Sequence, residues 1–149
     1  MSNVVRGLMI GAALSVAAAG LGVGLTAAAF GEGAIAIGAS GDFAKDGFAF
    51  GAAINKPTAD EAGAQALATC RKYRDAPKMA EICQVVFRFS HECYALSFDP
   101  DAGTPGVGWA IAGNKEIAED RANRNCQVTA GPDRRQYCKV SQSFCDTDN

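Results

Sequence analysis

His91 is the only imidazole in the chain, so any Ser-His-Asp or Cys-His mechanism has to use it. Its neighbours Ser90, Glu92 and Cys93 are close in sequence, but adjacent residues of a strand point to opposite faces. No Gly-x-Ser-x-Gly elbow occurs to present a nucleophile. A turn or surface histidine is the expectation. Asp99 and Asp101, with Gly103 after them, have the opening of a calcium loop without its later acidic ligands, and a Pro/Gly/Asp turn accounts for them. Glu116, Glu119 and Asp120 fall in the first turns of an expected helix, where acids complement the helix dipole. As an acid/base pair of the glycosidase kind they would need a cleft between them. No catalytic residue is assigned.

The remaining reactive residues are six cysteines: Cys70, Cys83, Cys93, Cys126, Cys138 and Cys145. Zinc sites use close ligand pairs, and here there is no Cys-x-x-Cys and one histidine. We therefore expect no metal and no cofactor. An even cysteine count behind an export signal reads instead as a disulfide framework.

That signal has three parts. Arg6 is a positive start, residues 7–25 are an uncharged apolar run, and Thr26-Ala27-Ala28-Ala29 offers the small residues a signal peptidase requires. The expected cut follows Ala29, leaving residues 30–149 as one domain secreted or held in the periplasm. The alternative is an uncleaved anchor facing the periplasm, since residues 7–29 are long enough to span a bilayer. Arg6 is the only one of 14 basic residues before Glu32, so 13 basic residues face 16 acidic ones in the rest of the chain. That balance argues against a nucleic-acid binder, which needs a basic stripe. No polybasic cluster is present to hold an anionic membrane, so membrane contact is expected only through an uncleaved N-terminus.

The elements that carry these residues follow from period and punctuation. Gly33-Ala-Ile-Ala-Ile-Gly38 and the run from Gly47 to Ile54 flank a polar turn and read as a hairpin. Thr58 and Glu61 form a capping box, and Ala62, Ala66 and Cys70 then lie on one face of a helix of about 12 residues. Residues 74–81 read as a loop. Strands are expected at Ile82–Phe89, Cys93–Phe98, Val107–Ile111 and Tyr137–Cys145, with a second helix from an Asn114 cap to Cys126.

The two halves repeat. Ala62-x3-Ala66-x3-Cys70 matches Ala118-x3-Ala122-x3-Cys126 without a gap, and Cys83-Gln-Val-Val matches Cys138-Lys-Val-Ser. The expected fold is α+β: an antiparallel sheet with two helices on one face, built from two β-hairpin–helix–strand repeats with three disulfides. Six cysteines allow fifteen pairings. The repeat narrows them to Cys70–Cys83 and Cys126–Cys138, the same local staple made twice, with Cys93–Cys145 left to tie the halves together.

The combination of Gly33-Ala-Ile-Ala36, a helix ending in Cys70, Cys83-Gln-Val-Val-Phe87, Cys93-Tyr-Ala-Leu96, Trp109-Ala110, a helix ending in Cys126 and Cys138-Lys-Val140 with Cys145 resembles the bacterial secreted family of domain of unknown function 4189. The resemblance runs from Gly31 to Cys145. This chain differs in having Tyr94 where the family usually has glycine, and in a longer loop over residues 74–81. The resemblance implies fold and location, and brings no catalytic residues to carry over.

Two function classes remain. The first is a non-catalytic extracytoplasmic domain that binds a protein or envelope component. The second is a small secreted hydrolase using His91 or an acidic pair. The missing nucleophile–base pair favours the first. Phe48, Phe50, Phe87, Phe89, Tyr94 and Trp109 all fall on expected strands, where the core needs most of them. Those on an uncovered sheet face, with Phe48, Phe50, Tyr94 and Trp109 as the candidates, would form a partner site.

Overall fold

The computed structural model describes residues 31–146. The expected export segment, residues 1–29, lies outside them. The first half runs β1 (Glu32–Gly38), a short helix α1 (Phe43–Asp46), β2 (Ala49–Lys56), α2 (Ala59–Cys70), α3 (Pro77–Glu81) and β3 (Gln84–Ser90). The second runs β4 (Cys93–Phe98), β5 (Val107–Ala112), α4 (Lys115–Ala130), a single 3-10 turn at Arg135–Tyr137, and β6 (Lys139–Cys145).

The class is α+β and all strand pairs are antiparallel, but the strands form two sheets of three, ordered β2-β1-β3 and β5-β4-β6. The single sheet with two helices on one face is therefore corrected to two sheets facing each other, each with one long helix on its outer side. The cause lies in the side chains. Ala34, Ala36, Ala49 and Ala53 share one face of the first sheet and pack with Ala62, Ala66 and Cys70 of α2. The opposite face carries Ile35, Ile37, Phe50 and Phe89, which pack with Tyr94, Leu96 and Val107 of the second sheet. Such strands are apolar on both faces, so each sheet must be covered twice. Aromatic contacts across the interface join Phe50 to Tyr94 at 6.0 Å, Phe89 to Tyr94 at 6.1 Å and Phe48 to Phe98 at 6.3 Å between ring centroids. On the outer face of the second sheet, Cys93, Ala95 and Ala112 meet Ala118 and Ala122 of α4.

Local signals set the helix ends. Thr58 accepts from the Glu61 N–H at 3.2 Å and Asn114 from the Ile117 N–H at 2.9 Å, so each long helix starts at a side-chain cap. Helix α4 runs one turn past Cys126 and stops at Gly131, whose φ of 78° suits glycine. Residues 77–81, expected as loop, form α3, with Pro77 pre-set for the first helical turn and Met79 and Ala80 buried.

The halves also share their irregularities. The pairing of β1 with β3 shifts between Ile35 and Ala36, leaving Val86 as the extra residue; that of β4 with β6 shifts between Leu96 and Ser97, leaving Ser141. Three disulfides join Cys70 to Cys83, Cys126 to Cys138 and Cys93 to Cys145. The last does not tie the halves together. Cys93 and Cys145 are partners across β4 and β6, so the bond closes the second sheet on itself.

Candidate partner-binding groove

Among the described residues, strand β5 is an edge strand, paired only with β4. Its inward side chains Val107, Trp109 and Ile111 reach the margin of the inter-sheet core, and Trp109 remains half-exposed there. Opposite them, β3 ends its own sheet and presents Phe87. The last turns of α4 add Asn125, Val128 and Thr129, and Glu92 adds one acid. Together they line an open groove of about 710 Å³. Val128 is 81 % exposed at its rim, on a helix whose buried stripe is Ala118, Ala122, Cys126 and Ala130.

The outer edge of β5 is partly closed. Asn125 Nδ2 donates to the Trp109 carbonyl at 2.9 Å, the Thr129 hydroxyl donates to the Val107 carbonyl at 2.7 Å, and the Val107 N–H donates to that hydroxyl at 2.9 Å. Helix side chains thus take backbone groups that an incoming strand would use. What the groove offers a ligand is mainly apolar surface, with Arg88 and Glu92 as the charged groups of its lining.

The four aromatic candidates separate. Phe50 and Tyr94 are buried in the inter-sheet core and form no surface patch, which corrects their assignment to a partner face. The Tyr94 hydroxyl donates to Gln142 Oε1 at 3.0 Å, and burial raises its pKa to about 12. Phe48 is half-buried against Phe43, Tyr73 and Phe98, beside a smaller cavity of about 220 Å³. Trp109 alone of the four reaches the groove. Phe87 and Val128 are additions. The bulge at Val86 puts Phe87 opposite Ile35, on the inner face of an edge strand. Val128 stands off the four-residue stripe of α4, which is a visible signal once the helix is extended past Cys126.

The residues considered for chemistry are engaged elsewhere. His91 occupies an exposed turn with a φ of 58°, and its Nδ1 lies 3.2 Å from the Ser90 hydroxyl. Glu119 accepts from the Ser143 hydroxyl, and Asp120 pairs with Arg124. Asp99 is fully buried, and both its oxygens take Arg134: Oδ2 from Nε and Oδ1 from Nη2, each at 2.8 Å. Arg134 also pairs with Asp101 and lies 4.2 Å over the Tyr137 ring. The cation held by this turn is therefore a guanidinium, which clamps the β4–β5 turn to the segment after α4. Among the described residues, no group of three or more His, Cys, Asp or Glu is arranged to hold a metal.

The hydrogen bonds from Arg134 hold the Asp99 carboxyl below the usual carboxylate range, and burial opposes them in part. A depressed folded pKa means stability that is present above the ordinary carboxylate pKa and is lost as pH falls through the folded value. Arg134→Gln should therefore melt below the parent at pH 7. The gap in Tm should shrink as pH is lowered through Asp99's folded pKa. Melting curves from pH 7 to pH 2 check this, and a gap that does not change with pH would refute the clamp.

No curated protein and no solved structure matches the chain. The family described as a domain of unknown function, DUF4189, matches residues 33–145, a span holding all of the two sheets but Glu32, all six cysteines and the groove. The chain belongs to the DUF4189 family.

Proposed function

We propose that this protein is a non-catalytic, exported bacterial domain, secreted or periplasmic, that binds a protein partner through the groove between β3, β5 and the end of α4. The observation that carries the reading is the apolar lining: Trp109, Ile111 and Phe87 form the walls, and Val128 stands almost fully exposed at the rim. An exposed cluster of large apolar groups suits an inserted apolar side chain of a partner. The compartment is supported by three disulfides that use every cysteine, since such bonds persist where the surroundings are oxidising. No helix among the described residues is long and apolar enough to cross a membrane. The residues a hydrolase would call on, His91 and the acids of α4, stand apart from the groove lining.

The test is capture from the native envelope fraction with the mature domain and with Val128→Asp. Val128 is exposed, so the substitution should leave Tm unchanged, while placing a charge in an apolar contact should weaken capture at least tenfold, about 1.4 kcal/mol. Equal capture by both proteins would remove the groove from the interface. An ester, peptide, glycoside or phosphate hydrolysis abolished by His91→Ala would replace the binding reading with an enzymatic one.

A further inference from the structure

Just after β6 stands a carboxylate with no hydrogen-bond partner among the described residues. Asp146 is 3 % exposed, and neither Oδ1 nor Oδ2 is hydrogen-bonded. Its backbone is fixed, because its N–H donates to the Glu92 carbonyl at 3.1 Å. The adjacent Cys145 is tied to Cys93, so the segment cannot swing out without breaking the end of the second sheet. An ionised carboxylate in such a place needs a cation or several donors to offset its desolvation. The ion pairs among the described residues take Arg88 to Asp60, Arg124 to Asp120, and Arg134 to Asp99 and Asp101. None of these reaches Asp146.

What does lie against Asp146 is the start of the described chain. A Cβ built on Gly31 would fall 2.5 Å from the Asp146 carbonyl oxygen and 2.6 Å from Asn55 Oδ1. Gly31 is therefore packed on the Asp146 backbone with no room for a side chain. β1 follows immediately at Glu32 and anchors it. One residue upstream is Phe30, and one residue advances the chain by at most 3.8 Å.

We propose that Asp146 is a site for a primary ammonium group, and that its occupant is the α-amino group of Phe30 exposed when the export segment is removed. The inference rests on the reading that the cut follows Ala29. Hydrolysis of the Ala29–Phe30 peptide bond adds one water, leaving a carboxylate on Ala29 and an ammonium on Phe30. Before the cut, the Phe30 nitrogen is an uncharged amide. After it, a cation appears one residue from Gly31, which packs on the backbone of the residue whose buried carboxylate has no hydrogen-bond partner among the described residues. An α-ammonium has three donors and is charged at neutral pH, which matches two open carboxylate oxygens. The pair would lock β1, the central strand of the first sheet, to the end of β6 in the second sheet. Removal of the export segment would then stabilise the domain as well as release it. The halves, which no disulfide joins, would be joined by this ion pair.

The experiment uses the mature protein recovered after export. Its N-terminus is sequenced first, and a start at Phe30 is expected. A start elsewhere would overturn the export reading and this proposal together. Given a start at Phe30, one alanine inserted ahead of it displaces the ammonium. That insertion should lower Tm by about 5 °C in the parent, and should cost nothing further in Asp146→Asn. An equal loss in both backgrounds would overturn the ion pair while leaving the export reading intact. Because Asp146→Asn could itself fold poorly, a second readout is the rate at which an amine-reactive reagent modifies the Phe30 α-amine of the folded parent at pH 7. Labelling at least tenfold slower than that of the urea-unfolded protein is expected. Equal rates would refute the site.

Discussion

Gly108→Ala should lower the stability of the domain by about 3 kcal/mol, the upper part of the usual range for overpacking, and Tm by roughly 12 °C. A Cβ on Gly108 would fall well inside van der Waals contact of the Cys126 nitrogen and the Ala122 carbonyl oxygen. Both are backbone atoms of α4, so no rotamer change can relieve the overlap. The helix would have to lift, and the buried row of Ala118, Ala122 and Cys126 would lose its contact with Ala95 and Ala112. Gly51 stands in the same relation to α2, facing the Ala66 carbonyl oxygen and the Cys70 nitrogen, and Gly51→Ala should cost a similar amount. Gly113→Ala is the control, because nothing lies within 4 Å of its added methyl. Urea unfolding of the three variants checks the expectation. A Gly108→Ala protein within 0.5 kcal/mol of the parent, a change of the size expected at open surface positions, would show that the close helix–sheet approach does not limit stability.

The same pair of glycines marks where the sequence is legible and where it is not. The helix stripe of alanines ending in cysteine can be read directly, because a four-residue spacing has one structural meaning. Caps at Thr58 and Asn114 are equally local, and both appear. The strands are legible as strands, but their grouping is not. Ala34 and Ile35 are both apolar, and only size distinguishes the face that meets a helix from the face that meets another sheet. A reading based on apolar against polar residues finds one buried face and so expects one sheet. Small residues on one face and large ones on the other are the signal for two layers. The groove is less legible still. Trp109 and Phe87 are 22 positions apart in sequence and come together only because the two sheets face each other with β3 and β5 at one margin. Val128 depends on the final turn of α4, and no residue type before Gly131 announces where that turn ends.

Removing the Cys93–Cys145 bond by a double serine substitution should destabilise the domain more than removing either local bond. The separations are 52 residues for this bond, against 13 for Cys70–Cys83 and 12 for Cys126–Cys138. In the chain-entropy account the long loop is worth about 4 kcal/mol and each short one about 3. Location adds to the difference. The local bonds hold the last residue of α2, and a residue late in α4, to the residue just before the next strand, and alanine packing already holds both helices to their sheets. The long bond fixes β6, which pairs with one strand only and carries the half-exposed Phe144 and Val140 on its length. With that bond gone, β6 keeps its ladder to β4 and its contact with α4 but can fray from its C-terminal end, where Cys145 and Asp146 lie. Denaturant unfolding of the three double-serine variants measures the order. A local pair costing more than Cys93–Cys145 would show that helix tethering, and not closure of the second sheet, sets the stability of the fold.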